Sequence, residues 1–250
     1  PTQQEPATAT IPTPQARTEA PPNSSPEQAR AIFACEAEKK RDVLAIPSLI
    51  ALLDDESNTQ LIRCWDSSRW SPALETFKNP SPGEQAALAL AYFGRPAFEP
   101  LAQQLTSSNA TVRRNAAWAI GELHNMVPGE RASAVPQLIT LLGDSDDWVR
   151  MAAARALGEV NDSRALTQLV ATLSDNNWRV RELVVWALSE MKDARAVNAL
   201  CSVLLSDTRV EVRRGAAEAL GEIASSAALP TLRQAVHDKE PSVSAKAAWA

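Results

Sequence analysis

A helical pattern that recurs every thirty-odd residues constrains the fold of this chain more than any other sequence feature. Its clearest copy runs from Asp144 to Val160 and reads D-S-D-D-W-V-R-M-A-A-A-R-A-L-G-E-V. With Val149 as position 0, Arg stands at +1, Ala at +4, +5 and +7, Leu at +8, Gly at +9 and Glu at +10, and an Asp stands at −5. A repeat of this length predicts a stack of similar supersecondary units rather than one central core. The position-0 valines, spaced by 37, 31, 32 and 31 residues, are Val112, Val149, Val180, Val212 and Val243.

Each repeat reads as two helices joined by a short, Asp-bearing turn. The second helix, here called the B helix, starts near the Val-Arg pair, and the first, the A helix, follows an alanine. This arrangement predicts an all-α protein, a right-handed α-solenoid of about six helical hairpins. The alanines that start the predicted A helices are Ala45, Ala97, Ala134, Ala165, Ala196 and Ala228.

Residues outside the pattern divide the chain into two regions. Residues 1–25 are rich in Pro, Thr, Gln and Ala, which predicts a disordered linker because few large apolar side chains are available to bury. It is either a spacer that follows a membrane anchor or an upstream domain, or a terminus without a role. Residues 26–250 are the predicted repeat domain, and a helix over 26–41 caps it, since Ser25-Pro26-Glu27 is a typical helix start.

Two parts of the repeat domain depart from the regular spacing. Residues 56–82 are expected to form an irregular excursion, either a long loop or a degenerate helix with a loop, and long loops of this kind are more often functional or mobile than neutral. The last copy of the pattern stops before its Leu-Gly-Glu end. A half-built repeat leaves an apolar face open, so the array is expected to be truncated at its C-terminal end.

The B-helix pattern predicts one buried arc, made by positions 0, +1, +4, +5, +7, +8 and +11. Small Ala residues there let helices approach closely, and the +9 Gly is expected to favour a tight helix end. The +1 Arg is expected to pair with the Asp six residues earlier, in a ladder that holds geometry more than it adds stability. A phosphate-binding track is the alternative role of these arginines. The ladder is expected to fail at both flanks, with Ser107 before Arg113 and Ser244 after Asp238. Its pairs are Asp144–Arg150, Asp175–Arg181 and Asp207–Arg213.

These residues carry a family resemblance. A-V-P-x-L, then Asp, then V-R-x-x-A-A-x-A-L-G-E resembles the HEAT repeat, in the short subtype similar to phycobiliprotein-lyase repeats, over about residues 45–250. The resemblance implies that B helices line the concave surface, where ligands usually bind. Carried onto this chain, that surface is made by positions −2, −1, +2, +3, +6 and +10.

The implied concave positions hold an unusual set of residues. Aromatic rings are enriched at binding hot spots and costly to expose in rows, so the surface is a candidate binding site. The alternative is that the rings lie flat over neighbouring helices and cover Ala-rich seams. Acidic and aromatic groups together suit a protein or peptide ligand with basic and apolar side chains. The candidate binding residues are Trp118, Trp148, Trp178, Trp186, Trp249, Arg155, Tyr92, Glu122, Glu159, Glu190 and Glu222.

Composition and the remaining reactive residues narrow the choice of function. The formal charge of −5 argues against a nucleic-acid partner. The sequence contains no run of 18 apolar residues, so no membrane span is predicted in it, although an upstream anchor remains an alternative. Cys35 and Cys64 could form a disulfide, which would imply an oxidising compartment, or could both be reduced, while Cys201 reads as a core residue. The sequence contains neither the Cys and His spacing of a zinc site nor a paired His motif, so no metal site is predicted and no cofactor is expected.

Three functions fit these observations. The leading hypothesis is a non-catalytic protein- or peptide-binding scaffold that uses the concave Trp-rich, acidic face. The second, motivated by the repeat subtype, is an enzyme or chromophore chaperone similar to phycobilin lyases. The third, motivated by the Pro/Thr-rich leader, is a sensory or accessory tail of a larger bacterial membrane protein such as a peptidase, and an extracytoplasmic location is favoured over a cytoplasmic one. The sequence does not indicate the oligomeric state.

Overall fold

The computed structural model describes residues 24–57, 81–123, 126 and 129–250. Most of the predicted linker (1–25), most of the predicted excursion (56–82) and Cys64 lie outside these residues. Thirteen α-helices and no strand are found in the described part of the chain. They are α1 (Pro26–Lys40), α2 (Ile46–Ile50), α3 (Pro82–Phe93), α4 (Arg95–Gln104), α5 (Ala110–Gly121), α6 (Val135–Leu141), α7 (Asp147–Val160), α8 (Leu166–Thr172), α9 (Trp178–Met191), α10 (Val197–Ser206), α11 (Val210–Ile223), α12 (Leu229–Ala235) and α13 (Pro241–Trp249).

The helices form one stacked array, as the repeat predicts. The helix α1 packs against α3, and six hairpins follow, each with an even-numbered A helix and an odd-numbered B helix. A 3-10 turn precedes five of the A helices and ends on a buried alanine, which explains the recurrent Ala of the sequence pattern. These alanines are Ala45, Ala134, Ala165, Ala196 and Ala228. The chain is therefore an α-solenoid.

Polar side chains cap the N-termini of five of the thirteen α-helices in the described residues, namely α1, α3, α5, α7 and α9. Ser25 caps α1 in a reciprocal capping box with Gln28, and Pro26 occupies the first helical position. Asn109, Asp146 and Asn177 cap α5, α7 and α9 by accepting hydrogen bonds from main-chain N–H groups of the first turn.

Successive B helices pack closely on one another, whereas the A helices in the middle of the array barely touch their A neighbours. This is the arrangement expected when the B row lies on the inner side of a curved stack. The close approach depends on the +9 glycine, because a Cβ at Gly158 would lie 2.9 Å from the Cα of Ala187 in the next B helix. The same glycine-to-alanine contact recurs at Gly121–Ala156, Gly158–Ala187 and Gly221–Ala250.

The prediction that the +9 glycine makes a tight helix end is therefore wrong for Gly158 and Gly221, which lie inside α7 and α11. Those helices, and α9, end instead at a residue with positive φ three positions further on. A left-handed residue closes the last turn by donating its N–H back to the helix. The three residues are Asn161, Lys192 and Ala224, with φ values of 53°, 49° and 54°.

The arginine ladder exists, but its register differs from the predicted one. Arg150 donates Nε and an NH2 nitrogen to the carboxylate of Asp175 in the next repeat, at 2.8 and 3.1 Å. Its third nitrogen donates to the main-chain oxygen of Asp144, at 2.9 Å. The i, i+6 link predicted from the sequence is thus a main-chain contact, and the side-chain pair bridges repeats. The bridging pairs are Arg113–Asp144, Arg150–Asp175, Arg181–Asp207 and Arg213–Asp238.

The predicted failure of the ladder at its flanks is also wrong. Arg113 needs no carboxylate at Ser107, because it donates to that residue's main-chain oxygen and reaches Asp144 with its other nitrogens. Asp238 likewise accepts from Arg213 of the preceding repeat. These residues are bound to one another, which leaves them poorly placed to form the alternative phosphate track.

Two of the three cysteines, Cys35 and Cys201, lie in the described residues. Cys35 is buried on α1 and disulfide-bonded. Its predicted partner, Cys64, lies outside the described residues, so the Cys35–Cys64 pair stays a prediction. Cys201 on α10 is a free, partly buried thiol that packs against the core.

None of the helices described here combines the length and apolar character that crossing a bilayer requires.

Candidate functional site

A groove of about 800 Å³ lies along the seam between α9 and α11 on the B-helix face. Its lining residues come from three consecutive B helices, α7, α9 and α11. The lining residues are Arg155, Glu159, Glu182, Leu183, Val185, Trp186, Ser189, Glu190, Lys192, Glu211, Arg214, Gly215, Glu218 and Glu222.

The groove opens where the repeat departs from its own pattern. In two regular seams, a +6 tryptophan ring lies against the +9 glycine of the preceding B helix: a Cβ at Gly158 would lie 2.6 Å from the Trp186 ring, and one at Gly221 would lie 3.0 Å from Trp249. At the α9–α11 seam the +9 residue is Ser189 and the +6 residue is Glu218. Neither of these two residues carries a ring, so the seam lacks the cover found at the other two, and the groove lies here.

The groove is lined by a few apolar side chains and by charged side chains that are mostly acidic. Leu183, Val185 and Trp186 provide apolar lining, and Gly215 at position +3 leaves room because it has no side chain. The charged lining consists of six carboxylates and three cations, so the groove attracts positive charge. The carboxylates are Glu159, Glu182, Glu190, Glu211, Glu218 and Glu222, and the cations are Arg155, Lys192 and Arg214.

Burial and mutual repulsion disfavour the ionised form of two of these carboxylates. Burial, and then the negative charge of Glu211, raise the pKa of Glu182, although Arg214 opposes the shift. Burial and the charge of Glu122 likewise raise the pKa of Glu159. A bound cation would relieve this cost, because an opposite charge nearby favours the ionised carboxylate.

Most of the other groove carboxylates already have a cationic partner. Glu218 binds Lys246 at 2.9 Å, and Glu222 binds Lys192 at 3.0 Å. Within the described residues, no salt bridge within 4.0 Å involves Glu182 or Glu190. These two α9 carboxylates are therefore the ones best placed to accept a ligand cation.

Arg155, on the α7 side of the groove, is paired with carboxylates of the protein itself. Its side chain is only 11% exposed, and it donates to Glu122 at 3.0 Å and to Glu159 at 3.4 Å. Its guanidinium also lies 5.3 Å from the ring centre of Trp186, within range of a cation–π interaction. Arg155 thus fixes one face of Trp186, and its charge is neutralised by the two glutamates.

The structure brings one of the five predicted tryptophans into the groove. Trp186 both lines the groove and covers Gly158, so the seam-covering alternative holds for this ring, and its role in binding stays a prediction. Trp249 is 62% exposed on the last helix, where Lys246 lies 5.0 Å from its ring. Trp118 borders a separate, very small cavity with Leu88.

Trp148 and Trp178 lie at the N-terminal ends of α7 and α9, and neither lines the groove. Trp148 is 44% exposed. Trp178 is partly buried beneath Arg209 of the next repeat, whose guanidinium lies 4.4 Å from the ring centre. The prediction that these rings share a binding surface with Trp186 stays a prediction.

The remaining predicted residues fall into two groups. Glu159, Glu190 and Glu222 line the groove. Tyr92, on α3, lies outside it and accepts a hydrogen bond from Arg41 at 3.1 Å, and Glu122 is one helix upstream, bound to Arg155.

Sequence reasoning did not select nine of the lining residues, six of which stand at implied concave positions. The available signal was the break in the pattern at Ser189 and Glu218, where the +9 glycine and the +6 tryptophan are both replaced. The missed residues at concave positions are Glu182, Leu183, Glu211, Arg214, Gly215 and Glu218, and the other three are Val185, Ser189 and Lys192.

Comparison with solved structures shows the same architecture in several proteins. An engineered protein matches with a TM-score of 0.52 and 22% identity, over 81% of this chain and 93% of that one. The complex of CpcE and CpcF of phycocyanin lyase from Nostoc sp. PCC7120 matches with a TM-score of 0.52 and 22% identity, over 71% and 99%. A designed armadillo repeat protein in complex with the peptide (KR)4 matches with a TM-score of 0.51 and 19% identity, over 90% and 97%. At these identities the likeness concerns the fold alone.

Sequence comparison gives a family. No curated protein matches the chain. The family described as HEAT repeats matches residues 98–189, 135–210 and 197–250, which together span 98–250 and so more than half of the sequence. The chain belongs to the HEAT-repeat family.

Proposed function

We propose that this protein is a binding scaffold whose α9–α11 groove holds a peptide segment of a partner protein, and that the segment carries basic and apolar side chains. The observation that carries the proposal is the groove itself, in which six carboxylates surround Leu183, Val185 and Trp186. Apolar contacts would supply affinity, and the carboxylates would select basic partners and reject acidic ones.

Two further observations support this function. The cost of keeping Glu159 and Glu182 ionised falls when a cation binds, so the free groove is electrostatically prepared for a basic ligand. A protein of similar fold, the designed armadillo repeat protein, is described in complex with the basic peptide (KR)4. A nucleic-acid backbone is a poor ligand for the same groove, because its phosphates would face carboxylates.

Selection from a random peptide library tests the proposal. We expect the peptides selected on the wild-type protein to be rich in Lys or Arg together with Leu, Phe or Trp. The affinity of the best peptide should fall about tenfold or more in Glu182→Lys, because a close like charge replaces an attraction. It should change less than about twofold in Glu99→Lys, which makes the same charge change at an exposed site on α4 outside the groove.

Far-UV circular dichroism and a melting curve should show that both variants fold. Selection of acidic peptides, failure to select any peptide, or equal losses in the two variants would each overturn the proposed function.

A further inference from the structure

Along the helix axes, the groove lining covers about three turns of α9 and of α11. It extends from Glu182 on α9 to Lys192 at the C-cap of that helix, and from Glu211 to Glu222 on α11. At a rise of about 1.5 Å per residue, the α9 wall is about 15 Å long. An extended chain advances about 3.3 Å per residue, so the wall matches four to five peptide residues.

Three side chains of α9 form a stripe along this wall. Glu182, Trp186 and Glu190 are spaced four residues apart, which places them on one helix face at intervals of about 6 Å. The two carboxylates are therefore about 12 Å apart along the helix, with the indole ring halfway between them.

An extended peptide has nearly the same spacing on one of its faces. Alternate residues point the same way, so the first, third and fifth residues face one wall, and the first and fifth are about 13 Å apart. A peptide along the groove can thus place two basic side chains at Glu182 and Glu190 while its third side chain lies on Trp186.

The opposite wall leaves the two α9 carboxylates as the sites for basic side chains. On α11, Glu218 and Glu222 are already bound to lysines, and Glu211 has Arg209 at 3.4 Å. Arg214 adds a positive charge near Glu182, so it competes with a ligand cation at that end of the stripe. The middle of the stripe offers Trp186 and Leu183, which favour an apolar side chain.

We infer that the groove recognises a five-residue extended segment with basic side chains at the first and fifth positions and a large apolar side chain at the third. This inference rests on the proposed function and adds the register of the ligand. The arrangement reads the same in both chain directions, so either orientation satisfies it.

Three peptides of one composition test the register. The designed ligand is Lys-Ser-Leu-Ser-Lys with blocked ends, and the permuted peptides are Lys-Lys-Leu-Ser-Ser and Lys-Ser-Lys-Ser-Leu. We expect the full-length chain to bind the designed ligand at least about fivefold more tightly than either permutation, as measured by titration calorimetry at low salt. Glu182→Gln and Glu190→Gln should each reduce that preference to less than about twofold, whereas Glu99→Gln should leave it unchanged.

A second variant separates recognition from folding defects. Arg214→Ala removes the cation that competes at the Glu182 end, so it should increase affinity for the designed ligand about two- to fivefold. A gain in affinity is not expected from a damaged fold.

Failure of the register and failure of the proposed function give different results. If all three peptides bind equally and Glu182→Lys still weakens them, the register is wrong while the binding groove remains. If none of the three binds, or if Arg214→Ala weakens binding, the inference is overturned. The library selection decides separately whether the groove binds peptides at all.

Discussion

The guanidinium of Arg150 binds the carboxylate of Asp175 in the following repeat through two hydrogen bonds of 2.8 and 3.1 Å. Both side chains are at most 14% exposed, so the pair is largely shielded from water. The same contact occurs at four consecutive seams, and a related one between Arg30 and Asp55 joins α1 to the first hairpin. The array is thus held together by a bond between repeats that each repeat makes in the same way.

A double-mutant cycle tests this register. Replacing Arg150 and Asp175 by Ala, singly and together, should reveal a coupling of about 1–2 kcal/mol in the free energy of unfolding, because the two side chains bind directly. The cycle between Arg150 and Asp144 should give less than about 0.5 kcal/mol, since Arg150 donates to the main-chain oxygen there. Urea unfolding provides the measurement, and a larger coupling to Asp144 would contradict the structure.

Gly158→Ala should destabilise the protein by about 1–3 kcal/mol. The added methyl group would lie 2.9 Å from the Cα of Ala187, so α7 and α9 would have to move apart. Gly143→Ala is the matched control, because its nearest neighbour would be an oxygen of Thr140 at 3.6 Å, and it should be neutral or slightly stabilising. Thermal unfolding of both variants compares them, and equal melting temperatures would contradict the close contact.

Ala224→Gly should stabilise the protein by about 1 kcal/mol. Ala224 ends α11 with a φ of 54°, a conformation that costs a residue with a Cβ about 1–2 kcal/mol and costs Gly little. The same replacement at Ala245, an exposed residue inside α13, should destabilise by about 1 kcal/mol because Gly is a poor helix former. Chemical denaturation should show these opposite signs, and a loss of stability at both sites would refute the role of Ala224 as a cap.

Acid should weaken the ladder. Hydrogen bonds from Arg213 lower the pKa of Asp238 below its usual value, with burial opposing them, so the carboxylate is more acidic in the folded state than in the unfolded chain. Its contribution to stability is complete above about pH 4 and is lost as pH falls through the lower, folded-state pKa. The free energy of unfolding of the wild type should therefore drop below about pH 4, and Asp238→Asn should show a smaller drop. Identical pH profiles would contradict the contribution of this pair.

Restoring the regular repeat at the open seam should close the groove. Ser189→Gly with Glu218→Trp recreates the glycine and tryptophan found at the Gly158–Trp186 seam, so the new ring should fill the space and reduce peptide affinity about tenfold or more. The control, Ser189→Gly with Glu218→Ala, loses the same carboxylate but adds no ring, and should retain most of the affinity. A fluorescence anisotropy titration with a selected peptide compares the two, and equal affinities would contradict this account.

The repeat pattern was sufficient to predict the architecture. The spacing of Val149 and its equivalents, with Ala and Leu at fixed offsets, predicts hairpins of the observed kind, and the buried residues of α7 include the predicted Val149, Ala153 and Leu157. Periodic apolar residues identify the buried face of a helix whatever lies against it, and for this reason the prediction succeeded without knowledge of the neighbours.

The candidate site was predicted less well. Trp118 and Trp186 share position +6, yet one borders a small cavity on α5 and the other lines the groove. Residues at equivalent positions of a repeat project from the same face of the helix, but the residues that surround them differ from one repeat to the next. The pattern therefore could not predict which tryptophan would line an open groove. Arg155, expected to contact a ligand, lines the groove and is paired there with Glu122 and Glu159, so its contact with a ligand stays a prediction.

The sequence by itself determined the helical hairpin, its buried arc and the number of copies, because these depend on the order of residues within about 31–37 positions. Only the tertiary structure decided that Arg150 reaches forward to Asp175 and that a groove lies along the seam between α9 and α11. Both outcomes depend on which side chain of one repeat meets which residue of the next, since α9 and α11 pack together as the other B helices do. At the α7–α9 seam the Trp186 ring meets Gly158, whereas the equivalent residues at the α9–α11 seam are Glu218 and Ser189, and neither carries a ring.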